Sequence, residues 1–173
     1  MSAPIQPILL NGCARAATAA EARFRIDRPI AGRVARVVAL DDAAAEVARR
    51  IAALPWGSAR FFASEPAALG TANGDGIPAD LPLRAIDGAV SVLSTELEDA
   101  DVVLVIATSD AGAPAAAAIG AACDRRGIMT AGLIVGPRVE VRAAVSALRP
   151  HAPVLLVTDD EEDVAELLVA LRA

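Results

Sequence analysis

From Val34 onward, short runs of aliphatic and β-branched residues alternate with longer stretches in which apolar positions recur at helical spacing. The runs are 36–40 (RVVAL), 60–63 (RFFA), 102–106 (VVLVI), 130–135 (TAGLIV) and 154–157 (VLLV), and they predict five strands. Between them, Val47, Ile51 and Leu54 share one helical face. So do Ile86, Val90, Leu93 and Leu97, then Val141, Ala144, Val145 and Leu148, and last Val164, Leu167, Leu168 and Leu171. Strands alternating with amphipathic helices predict an α/β fold: a three-layer, Rossmann-like domain with a mainly parallel sheet, in which the first and third runs lie side by side.

Boundary residues agree with this pattern. Pro55 stops the first helix, Pro82 and Pro137 suit first turns, and Thr158 with Glu161 has capping-box spacing ahead of the last helix. Residues 1–33 form an N-terminal extension with candidate strands at 8–10 and 23–26, compatible with an added strand or hairpin; residues 34–173 form a single α/β domain. The stretch 64–80, SEPAALGTANGDGIPAD, is a long loop rich in Gly, Pro, Asn and Asp.

Composition narrows the chemistry. All 16 cationic residues are arginine, so Schiff-base lysines, phosphate-loop lysines and Ser-Lys dyads are excluded. A net charge of -6 with scattered arginines argues against nucleic acid as a partner. The longest apolar stretch, 111–123, is broken by Gly112, Pro114 and Gly120, so no membrane span is expected. The first residues carry two prolines and no basic start, which makes a poor signal peptide and predicts a cytoplasmic protein. Cys13 and Cys123 stand 110 positions apart without a CxxC, and His151 is the single histidine, so no zinc site is expected and the cysteines are read as reduced.

In a sheet of this type ligands sit beyond the carboxyl ends of the strands, where helix N-termini offer free N–H groups. The first strand runs into Asp41 and Asp42, which are read as helix caps and which would repel an anion. The third runs into Thr108, Ser109, Asp110, Ala111 and Gly112, either a small-residue phosphate cradle or an ordinary cap before a helix of small residues. That helix's lack of bulk invites close packing by the sheet or a partner. The acidic cluster Asp159, Asp160, Glu161, Glu162 and Asp163 follows the last strand, read as a solvated cap of the last helix, with a magnesium site or a ligand base as the alternatives. No nucleophile, base and orienter combine into a catalytic set.

The order ELEDADVVLVIATSDAG, CDRRGIMTAGLIVGP and VLLVTDDEEDVAELL resembles the nucleotide-binding half of the FtsZ/tubulin family of GTPases over about residues 33–172. Gly127, Ile128, Thr130, Gly132 and Pro137 fall in step with the family's GILTVGVVTKP segment. Glu65, after ARFFASEPAAL, stands near the position of its acidic-loop aspartate. Where the family has a glycine-rich first loop this chain has Leu40, Asp41 and Asp42, and where it has GGGTGTG this chain has residues 109–115, SDAGAPA. The chain also ends where the family continues into its catalytic acidic loop. The resemblance therefore implies a non-catalytic, FtsZ-like module with a degraded nucleotide site, working through a protein partner or as a homo-oligomer. Two alternatives stay open: GTP or GDP binding without hydrolysis, with magnesium only if nucleotide binds, and binding of a phosphorylated small molecule of the sugar-phosphate type.

Overall fold

A computed structural model describes residues 32–65, 80–136 and 141–173. Seven strands form one sheet in the order β4-β3-β2-β1-β5-β6-β7. They are β1 Ala35–Ala39, β2 Ala59–Ser64, β3 Pro82–Ala85, β4 Val90–Val92, β5 Val102–Ala107, β6 Met129–Val135 and β7 Val154–Thr158. The helices are α1 Asp42–Ala52, the four-residue α2 Leu93–Glu96, α3 Ala113–Arg126, α4 Arg142–Leu148 and α5 Glu162–Leu171. Strands β2, β1, β5, β6 and β7 are parallel, while at the β2 side β3 pairs antiparallel with β2 and β4 antiparallel with β3.

All five predicted strands are present within a residue or two, and the first and third are paired, Val37 opposite Leu104. Alternation along the central strands separates two apolar layers. Val38, Val103 and Val105 face α3 and α4, with Ile119, Ala144 and Leu148, whereas Val37, Leu104, Ile106 and Leu133 face α1 and α5, with Val47, Val164 and Leu168. This is a three-layer, Rossmann-like frame with a near-continuous apolar β5, as a strand buried on both faces requires.

The helix expected over Ile86, Val90, Leu93 and Leu97 is not formed. Pro82 opens β3 instead of a helical turn, and Asp87-Gly88 closes a hairpin: Ala85 N donates to Ala89 O at 2.8 Å and Gly88 has a φ of 96°. An Asp-Gly pair between apolar residues is a strong hairpin signal, and it overrides the helical spacing of the residues around it. Val90 is consequently 69% exposed on the edge strand. Two smaller differences follow. Leu54 lies beyond the end of α1 and is exposed, and the indole N–H of Trp56 donates to Ile51 O at 2.8 Å, satisfying a carbonyl at that helix end. The Thr158–Glu161 capping box is absent: Thr158 Oγ1 accepts from Asp160 N, and Asp160 Oδ1 accepts from Glu162 N at 2.9 Å, so Asp160 serves the start of α5.

The small residues of α3 are used for contact within the chain. A Cβ on Gly120 would stand 2.6 Å from the Cβ and Cγ of His151, so the glycine seats the imidazole, whose Nδ1 meets Asp124 Oδ2 at 2.5 Å. His151 is thus partly buried at the end of the sheet opposite the strand carboxyl ends. Cys123, also on α3, is free and buried, and desolvation pushes its thiol up to about 11. Cys13, Pro137, the strands expected at 8–10 and 23–26, and most of the 64–80 loop lie outside the described residues.

Candidate functional site

The chain leaves β1 through α1 on one face of the sheet and leaves β5 through α3 on the other. The carboxyl ends of β1 and β5 therefore form the switch point at which this architecture places ligands. Asp41, Thr108 and Ser109 meet there.

Asp41 has extended backbone and is the N-cap of α1, with Oδ1 accepting from Ala44 N at 2.8 Å. That much is an ordinary cap. The same carboxylate also reaches across to the end of β5. Its Oδ2 accepts from Thr108 N at 2.8 Å and Ser109 N at 3.2 Å, and its Oδ1 accepts from Thr108 Oγ1 at 2.6 Å. Ser109 Oγ stands 3.4 Å from Oδ2. Three backbone N–H groups and two hydroxyls thus converge on one internal anion, an arrangement of the kind that elsewhere holds a phosphate. Their donor capacity is spent within the chain.

The rest of the SDAG turn is committed in the same way. Ser109 caps the 3-10 turn Asp110–Gly112, and its side chain accepts from Ala111 N. Asp110 points to α4, where Oδ1 accepts from Ala144 N at 2.9 Å, a cap supplied from outside a helix whose own N-cap residue, Val141, has no side-chain acceptor. Ala111 is exposed. Gly112 is buried against the end of β1: a Cβ there would lie 2.4 Å from Leu40 Cβ and 3.0 Å from Leu40 O. It is a packing glycine. Gly112→Ala is expected to cost about 1–3 kcal/mol, the usual penalty of overpacking against atoms that cannot move aside, measurable as a lowered urea midpoint.

The other candidates do not join this cluster. Asp42 is exposed in the first turn of α1. Glu65, at the end of β2, accepts from Arg84 Nε at 2.9 Å and Nη2 at 2.5 Å, tying β2 to β3. Asp159 and Asp160 are exposed beyond β7, with β6 between that strand and β5. Among the described residues no group of three or more His, Cys, Asp or Glu side chains could hold a metal ion.

Sequence reasoning missed a second polar cluster, at the opposite end of the sheet. Arg36 on β1 and Arg60 on β2 are register partners. Arg36 Nε donates to Glu96 Oε2 at 3.1 Å and Arg60 Nη1 donates to the same oxygen at 2.8 Å, while Ser91 Oγ donates to Oε1 at 2.7 Å. Arg36 also pairs with Asp99, and the Arg60 guanidinium lies 5.1 Å from the centre of the Phe62 ring. Arg36 is 3% and Glu96 4% exposed, so this is a buried ion network anchoring α2 and the β3–β4 hairpin to the parallel sheet. The signal was present: two arginines at the second positions of adjacent strands, each without an acidic neighbour, need a carboxylate from elsewhere.

No family model, no curated protein and no solved structure matches this chain.

Proposed function

We propose that this chain is a non-catalytic module of FtsZ/tubulin type whose nucleotide site is degraded and which acts by associating with another protein or with itself. The observation that carries this reading is Asp41: its carboxylate occupies the donors at the β1–β5 switch point. A bound phosphate would have to displace it and then lie beside it. At about 4 Å, two like charges repel by roughly 4 kcal/mol at a partly buried site, comparable to the gain from about two charge-assisted hydrogen bonds. The lack of any lysine removes the usual compensating cation, and Asp110, the carboxylate of the SDAG turn, is committed to capping α4.

The segment order, which resembles that of the FtsZ/tubulin family, supports the type, and the filled crevice supports a site without nucleotide. Calorimetric titration with GTP, GDP and sugar phosphates, with and without magnesium, tests the reading. The expected result is no saturable heat for any of them and no phosphate release above a blank. A dissociation constant at or below the micromolar range for GTP or GDP would replace it with nucleotide binding, and for a sugar phosphate with small-molecule binding.

A further inference from the structure

The two edges of the sheet differ. Strand β4 is three residues long and follows a tight turn, and a short edge of this kind discourages pairing. Strand β7 has five residues, VLLVT, with no charge and no proline, and among the described residues only β6 pairs with it. Its two faces are both incompletely covered. Leu156 is 39% exposed on the α5 side, and on the other side a groove of about 330 Å³ runs between α4 and β7, lined by Arg142, Val145, Ser146, Arg149 and Val157. An uncharged edge with apolar surface on both faces is a template for strand addition.

We infer that this edge is an interface for a second copy of the chain, paired antiparallel through β7 about a two-fold axis at Leu156. The inference rests on the association reading above and names its surface. Backbone direction fits that axis. Thr158 O accepts from Gly136 N at 2.9 Å, so Thr158 turns its peptide groups toward β6, and the two-residue period turns those of Leu155 and Val157 outward. With Leu156 on the axis, Leu155 lies opposite Val157 of the second copy and each such pair exchanges two hydrogen bonds. The two Leu156 side chains then meet in the closer, non-hydrogen-bonded position. Pro153 has no N–H to extend the ladder, so the pairing is short and the dimer is held largely by side chains.

Charge supports the antiparallel sense. One end of β7 is preceded by Arg149 on α4, and the other runs into Asp159 and Asp160. Leu155 and Val157 pack on the α4 face of the sheet, Arg149 lines the groove on that face, and Asp159 and Asp160 are exposed just past the carboxyl end of the strand. Antiparallel pairing brings the Asp159–Asp160 end of the second copy to the Arg149 end of the first, and the symmetry makes this juxtaposition twice. It also brings Arg142 toward Arg149 of the second copy, one like-charge contact against the two carboxylates, Asp159 and Asp160, that arrive at the same end. A parallel pairing would instead set acid against acid.

Light scattering on the full chain across a concentration series is expected to show a dimer. Leu156→Lys should weaken it about tenfold or more by placing two cations on the axis. Arg149→Asp, an exposed position that leaves the core intact, should also weaken it, and adding Asp159→Arg should restore it. In a Cys13→Ser background, Leu156→Cys should cross-link two chains under mild oxidation, since opposed non-hydrogen-bonded positions hold Cβ atoms within about 4.5–5.5 Å. A monomer at all concentrations overturns the inference, as does a dimer indifferent to both charge changes, or an introduced thiol at 156 that forms no cross-link. Such results leave the calorimetric test of the proposed function standing, whereas nucleotide binding there would refute that reading whatever the oligomeric state.

Discussion

Asp41→Ala is expected to lower stability by about 2–4 kcal/mol: roughly 1 from the lost cap of α1 and about 1–3 from stranding the Thr108 and Ser109 donors. Urea unfolding followed by circular dichroism reads this directly. The variant should also gain a property that the parent lacks. With the carboxylate removed, Ala44 N, Thr108 N and Ser109 N face an empty cradle, and sulfate or phosphate should raise the midpoint of the variant while leaving that of the parent unmoved by comparison. Asp41→Asn keeps the acceptor without the charge and should fall between the two. Loss of stability with no anion response would mean that the donors relax away from one another once Asp41 is gone, and the switch point would then be a cap and nothing more.

Glu96→Ala is expected to cost about 3–5 kcal/mol, because it leaves the Arg36 guanidinium buried without its main counter-ion. Asp99 remains on Arg36 but is itself largely exposed and cannot take over two arginines. The double change Arg36→Met with Glu96→Leu, which replaces charge by apolar volume, should recover most of the loss, since a buried ion pair contributes little net stability against a well-packed hydrophobic substitute. Thermal unfolding of the three proteins checks this. Similar midpoints for Glu96→Ala and the parent would show that water reaches Arg36 and that the network is not buried in solution.

The parallel part of the fold was legible because the runs at 36–40, 102–106 and 130–135 cannot be exposed on either face, and only a covered parallel sheet accommodates them. The hairpin was not, because Ile86, Val90, Leu93 and Leu97 have helical spacing by coincidence. Ile86 and Val90 belong to the two arms of a turn, and the deciding residues were Asp87 and Gly88 between them. At the candidate site, sequence identified Asp41 as a helix cap and Thr108 with Ser109 as possible anion donors. It did not join them, since the bonds span 67 and 68 positions and depend on β1 lying beside β5. Both halves of the arrangement were visible; their contact was a property of the topology. The Arg36–Glu96 network escaped for the same reason, with 60 positions between the partners.

The position of β1 also bears on the order in which the molecule assembles. From Val102 onward each strand pairs with the next one in the chain, β5 with β6 and β6 with β7, so that half can form from sequence neighbours. Strand β1 pairs with β5 only after the intervening segment has been closed into a loop, which is entropically costly and slow. The bonds from Asp41 to Thr108 and Ser109 require β1 beside β5, and on this ground they are expected to form late. Interactions made after the rate-limiting step act mainly on the unfolding rate. Asp41 is in that sense a latch: losing its bonds to Thr108 and Ser109 should mainly let the folded chain open sooner, while the lost cap of α1 slows refolding to a smaller extent.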